Sequence, residues 1–329
     1  MTGKTDEDLA QKARGDVARG SNAREDARGP QETHGAQDGR MALVYASLPA
    51  VFVLFWSTGF IAGKQGLQDA APFTFLLYRF LIVAALLTIV AWIARAPWPP
   101  LRTLGPLAVG GVFVHAGYLG ATFGAMSVGV EAGVSSLMAG LQPVLTAVFA
   151  APFLGERVSP RQWAGLALGL CGVTLVVWNK LGLGLGTPAG MAFSFLSAVF
   201  MTSGTLWQKR FGGAMDLRTG SVVQFAASAL VVLPLAAWEG FRVDWTPAFI
   251  GAMGWLCLVL SVGTISVLFV LIRRGAAAEV ASLFFLVPPT TAVLAWIMFG
   301  ETMGATALAG MALVVIAVAM VTWKARAPA

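Results

Sequence analysis

The side chains able to do chemistry are few and stand singly within apolar runs. His115 and Tyr118 lie one helical turn apart in VFVHAGYLGATF, residues 112 to 123. A histidine in such surroundings is a candidate for substrate binding or proton transfer, because its charge switches near neutral pH and ionisable groups are costly to keep in hydrocarbon. The plainer reading is a hydrogen bond to a carbonyl across a helix bundle. Arg79 stands in FLLYRFLIV, where a cation costs ~2.5–3.5 kcal/mol unless it reaches the interface or finds a partner. It either snorkels and caps carbonyls, or it binds substrate or a charge partner.

Other chemistries are excluded by what is missing. Cys171 and Cys257 have no second cysteine or histidine at ligand spacing, so neither a metal site, a disulfide nor a cofactor is expected. Two histidines in all, one of them His34 near the N-terminus, cannot make a histidine cluster, and no Asp or Glu lies deep in an apolar run. GFIAGKQ, residues 59 to 65, imitates a phosphate loop, but three residues separate its glycines and Gln65 stands where Ser or Thr is needed. An enzyme is not expected. A membrane enzyme using His115 remains as an alternative, although no G-x-S-x-G elbow accompanies that residue. A passive channel is the other, and it needs a polar pore lining that this chain hardly supplies.

The elements that must hold these residues follow from composition. With 57% hydrophobic and 12% charged residues and a mean hydropathy of +0.76, the chain is an integral membrane protein rather than a soluble globule. Its apolar runs are about 20 residues long, the length of a membrane-crossing helix. Ten spans are expected near 41–63, 72–94, 104–127, 132–153, 160–178, 187–207, 217–238, 248–271, 279–299 and 304–323. Residues 1–40 hold seven Lys/Arg, eight Asp/Glu and no aromatic residue, the composition of a disordered tail. Met41 follows Arg40 at the start of the first span, which makes it a candidate natural start.

Basic residues orient the spans. With the N-terminus in the cytoplasm, and leaving out that tail, the inside loops and C-terminus hold eleven Lys/Arg and the outside loops three, namely Lys64, Lys180 and Arg242. That bias places both termini in the cytoplasm and the chain in the cell (inner or plasma) membrane as a multi-pass protein. The net charge of +6 is explained by the same bias, and nucleic acid is not an expected partner.

The chain also repeats itself. PVLTAVFAAPFLGE, starting at 143, matches PPTTAVLAWIMFGE, starting at 288, an offset of 145. At that offset Phe80 meets Phe225, Gly165 meets Gly310, Arg79 meets Gln224, and WSTGFIAGK (56–64) lies over MTSGTLWQK (201–209). Repeats of five spans, an odd number, enter the membrane from opposite sides, so the repeat is inverted. Inverted repeats let two copies exchange conformations and expose one central site alternately to each side.

These residues resemble the EamA-domain, ten-helix transporters of the drug/metabolite superfamily. The Trp-Ser-Thr-Gly-Phe stretch, Arg79-Phe80 and the Pro-to-Gly-Glu pattern ending the fourth and ninth spans carry the resemblance, which covers residues 41–325. It implies an all-α membrane fold of two inverted five-helix repeats around a central cavity, commonly exporting amino acids or other small metabolites. The expected division is a tail at 1–40, a first repeat at 41–180, a linker at 181–186 and a second repeat at 187–325.

Candidate cavity residues are then Trp56, Thr58, Arg79, His115, Tyr118, Gln142, Thr202, Ser203, Trp207 and Gln224, with packing alone as their plainer role. Pro143, Pro288 and Pro289 fall mid-span and are candidate hinges. Glu156 and Glu301 are expected to accept from amides at the start of the following helix or to pair with Arg157 or another neighbour. Gly165, Gly169 and Gly172 read as a packing face. The expected partners are a small-molecule substrate and the bilayer, with a second copy of the chain as a further candidate. Transport is expected to be facilitative, or to couple to protons through His115.

Overall fold

The computed structural model describes residues 29–130, 141–181, 187–213, 215–299 and 304–322. Apart from an isolated bridge between Ala70 and Val243, the regular elements among these residues are helices. In chain order they are α1 (Gly29–Gly66), α2 (Pro72–Ile93), α3 (Leu101–Ser127), α4 (Gln142–Leu154), α5 (Pro160–Leu181), α6 (Pro188–Phe211), α7 (Leu217–Glu239), α8 (Pro247–Arg274), α9 (Ala277–Phe299) and α10 (Ala305–Thr322). Seven helices among the described residues are long and apolar enough to cross a membrane, and shorter apolar stretches run over Gln142–Leu154 and Ala277–Thr291. The fold is that of an all-α membrane protein.

Two units divide the chain, Met1–Leu48 and Pro49–Ala329, and the bundle is the second. α1 begins at Gly29, inside the stretch expected to be disordered; its Gln, Glu, Ala and Arg residues are tolerant of helix. Residues 1–28, 131–140 and 300–303 lie outside the described ones, and with them most of the tail, the first part of the expected fourth span and Glu301.

Local chemistry sets the helix ends. Proline opens α2, α5, α6 and α8, where its missing N–H is not needed. Thr187, Asp216 and Thr246 cap α6, α7 and α8 by accepting from Gly190, Arg218 and Phe249 amides. Gly155 and Gly240 end α4 and α7 at φ of 73° and 83°, the left-handed conformation that glycine adopts without strain.

The bundle obeys the repeat. α2 packs along α7 and α5 along α10, each helix against its own image. α3 touches α7 as α8 touches α2. The rings of Phe80 and Phe225, image residues, meet at 5.9 Å. At the other self-paired crossing, a Cβ on Gly165 would lie 3.0 Å from the carbonyl of Ala317, and one on Gly172 would lie 2.9 Å from that of Gly310. Those two approaches are images of one another, so the glycine face is a seam that requires hydrogen at these positions. Both ends of the α2–α7 pair are also fastened: Thr74 Oγ1 donates to Glu239 and Thr219 Oγ1 to the Pro97 carbonyl, each at 2.8 Å.

The outside suits lipid. Trp92 and Trp238, at the ends of α2 and α7, are 79% and 87% exposed, as aromatic residues at the headgroup level are.

Candidate functional site

A cavity opens where α1, α2, α3 and α8 meet. Trp56 and Phe60 come from α1, Arg79 from α2, His115 and Tyr118 from α3, and Leu260 from α8. Gly59 lets α8 come close, since a Cβ there would stand 3.4 Å from Leu260. Its volume is about 40 Å³, room for a few waters, so a metabolite is admitted only when the walls draw apart.

Backbone geometry aims these side chains. α3 is π-helical over Val112–Gly117 and α8 over Leu256–Thr264. Adding 145 to the first range gives 257–262, inside the second, so the irregularity occurs in both halves. π turns inside α-helices are frequent at functional sites. Both face this cavity, one through His115 and the other through Leu256 and Leu260.

Arg79 is 4% exposed. Its Nε donates to Ser261 Oγ at 2.9 Å, and among the described residues no carboxylate pairs with it and neither Nη has a bonded partner. His115 is fully buried, its ring stacked on Phe225 at 4.0 Å and 17°. Neither ring nitrogen has a hydrogen-bond partner. No serine among the described residues bonds it, as a Ser–His dyad would require. Tyr118 and Trp56 stand with ring centroids 6.0 Å apart.

The structure thus gathers Trp56, Arg79, His115 and Tyr118 around one cavity and places the other candidates elsewhere. Thr58 donates to the Phe55 carbonyl and accepts from Trp255 Nε1 at 2.9 Å. Thr202 Oγ1 donates to the Gln142 carbonyl at 3.4 Å, while both polar atoms of the Gln142 side chain are buried without partners. Trp207 Nε1 donates to the Pro106 carbonyl, and Gln224 donates to Gln208 Oε1. Ser203, next to Thr202 on α6, is half-buried and does not line the cavity. These six serve helix contacts.

The prolines differ from expectation in position. Pro143 lies in the first turn of α4 as described. Pro288 and Pro289 lie in the first turn of the stretch that resumes at Val287, after α9 changes from α-helix at Ser282 to a 3-10 turn over Leu283–Leu286. They open helical stretches rather than kink continuous ones, because proline fits a first turn. Carbonyls just before them are used: Ser57 Oγ donates to Val287 as Thr202 Oγ1 does to Gln142.

Glu156 reaches farther than sequence reasoning placed it. Its Oε2 accepts from the Ala277 amide at 2.9 Å, at the start of α9 rather than of the following α5, and its Oε1 lies 3.1 Å from Lys209 Nζ. Lys209 also donates to the Gly275 carbonyl. The ends of α4 and α6 are thereby tied to the start of α9. Sequence reasoning also missed Ser261, although polarity amid LCLVLSVGT was a signal available for it.

Comparisons with known proteins agree with this architecture. The description "EamA-like transporter family" matches residues 43–178 and again residues 188–323. The uncharacterized transporter YvbV of Bacillus subtilis is 29% identical over 290 residues, 86% of this chain and 92% of that one. A probable amino-acid metabolite efflux pump of Salmonella typhimurium is 25% identical over 81% of this chain and 91% of its own. A probable terminal-alkyne amino-acid exporter of Streptantibioticus cattleyicolor is 27% identical over 82% and 90%. A crystal structure at 22% identity superposes with a TM-score of 0.70 over 85% of this chain and 96% of that one, which shows a shared fold.

Proposed function

The chain belongs to the EamA-like transporter family, and from that premise we propose that it is an exporter of small polar or amphipathic metabolites working by alternating access. The observation that carries the mechanism is the duplicated contact set. Ser57 on Val287 and Thr202 on Gln142 are one interaction made twice, and α2–α7 and α5–α10 are self-paired crossings. Such a scaffold has two equivalent arrangements, which differ in the half that closes over the site. The Glu156–Lys209–Ala277 cluster closes one face here. By sequence its images are Lys64 and Glu301, and Glu301 lies outside the described residues.

Both termini are assigned to the cytoplasm by the basic residues. Reporter fusions after Lys180 and after Arg210 are expected on opposite sides, external and internal respectively. The function itself is tested by comparing exported metabolites with and without expression, followed by counterflow of the enriched compound in liposomes. A purified protein that exchanges no such compound would overturn the reading.

A further inference from the structure

We propose that the transported compound is a monocarboxylate anion with an apolar or aromatic body, and that Arg79 holds its carboxylate. This rests on the transporter reading and deepens it. Arg79 brings a permanent charge into the middle of the bundle, and a charge so placed is costly unless something answers it. Ser261 engages only Nε. The two Nη groups border the cavity without a bonded partner, and no carboxylate among the described residues pairs with them. A guanidinium fork open on one side fits a planar carboxylate in bidentate fashion.

The rest of the wall fixes the remainder of the ligand. His115 supplies an unpartnered, fully buried imidazole beside the fork, a second polar group with nothing in the protein to satisfy it. Trp56, Phe60 and Tyr118 are large apolar surfaces, which bury an apolar body and leave a second charge poorly solvated. One cation and no described anion give a net complement of one negative charge. A dianion would exceed it. An amino-acid zwitterion would bring an ammonium to a wall that offers neutral acceptors only, so the anion lacking that ammonium binds better.

The test uses the full chain in detergent and four probes sharing a phenyl ring: 3-phenylpropionate, phenylalanine, phenethylamine and 3-phenylpropan-1-ol. Thermal unfolding at rising probe concentration is expected to show half-saturation by 3-phenylpropionate at a concentration at least about tenfold below that of the other three. Arg79→Gln should remove that advantage. Arg79→Lys should keep part of it, since lysine retains the charge and loses the fork, and Ser261→Ala should keep most, with unfolding of the ligand-free variants checking that each folds. An alcohol or amine that binds as well as the anion overturns the proposal. So does an undiminished preference in folded Arg79→Gln, or no stabilisation by any probe. Liposome flux separates this failure from that of the transporter reading. Flux of the amine or alcohol, unchanged by Arg79→Gln, sinks the carboxylate and keeps the transporter; binding of 3-phenylpropionate through Arg79 without flux of any compound does the reverse.

Discussion

Ser57 on α1 donates its hydroxyl proton to the carbonyl of Val287, 3.3 Å away on α9 and immediately before Pro288. Ser57 also bonds Val53 within its own helix at 2.7 Å, so the inter-helix contact is a shared bond. Thr202 makes the image contact to Gln142 with no such local alternative among the bonds it forms. Thr202→Val should therefore destabilise the protein by about 1 kcal/mol, the net worth of one hydrogen bond, and Ser57→Ala by less. Melting temperatures of the two variants in one detergent check the order.

Loss of the Glu156 carboxylate should loosen the face it closes. In a background lacking Cys171 and Cys257, a cysteine at Ala277, which is fully buried, should react severalfold faster with a small hydrophilic thiol reagent once Glu156→Gln is added. Unchanged reactivity would show that the tie to Lys209 and the α9 amide does not restrain α9.

Two glycines give opposite expectations for the same substitution. A Cβ on Gly111 would lie 2.4 Å from Gln224 Cβ and 2.5 Å from its Cα, whereas one on Gly251 meets nothing within 4 Å. Gly111→Ala is expected to cost about 1–3 kcal/mol or more as α3 and α7 are forced apart. Gly251→Ala is expected to be neutral or to stabilise by up to about 1 kcal/mol through helix propensity. Thermal unfolding of the pair settles both.

Asp216, the cap at the start of α7, is held down to a pKa of about 2 from 3.8, first by its side-chain hydrogen bonds from Arg218. A depressed carboxylate stabilises the folded state above its unfolded pKa and loses that contribution as pH falls through the folded value. The melting-temperature difference between the protein and Asp216→Ala should be constant from pH 8 to pH 5. It should shrink only as pH falls from about 4 toward 2.

His115 faces Phe225 with both nitrogens unsatisfied, so a proton on it has no neighbour among the described residues to accept it. In liposomes with an imposed pH gradient, His115→Gln should abolish any gradient-driven accumulation and spare downhill exchange. Equal accumulation by both proteins would place proton coupling on another group.

What the sequence could disclose was whatever repeats or whatever is costly. The offset that put Ser57 over Thr202 also put Gly165 over Gly310, and both pairs emerge as image contacts. Arg79 and His115 were conspicuous because polar groups are rare in these helices, and they reach one cavity. Gln142 and Thr202 were equally conspicuous yet meet each other, because a hydroxyl or an amide at this depth serves a helix contact as readily as a ligand. The attachment of Glu156 to α9 was hidden for another reason. Nothing in the order of residues says that the end of α4 lies beside the start of α9, and local rules could only point to the next helix. The π turns were invisible because they shift backbone bonds without needing a particular side chain.

Those π turns make chain length itself a determinant of what the cavity walls present. Each helical residue advances the direction of a side chain by about 100°, and a π turn holds more residues than an α turn, so a stretch such as Val112–Gly117 carries surplus chain. A three-nucleotide deletion there would spare every side chain that lines the cavity and still turn Tyr118 away from Trp56 by about that angle. The matching surplus in Leu256–Thr264 makes the second half sensitive to the same lesion. In these two helices the gene should tolerate many single-codon replacements and few single-codon losses, a pattern that a deletion scan read by flux would reveal.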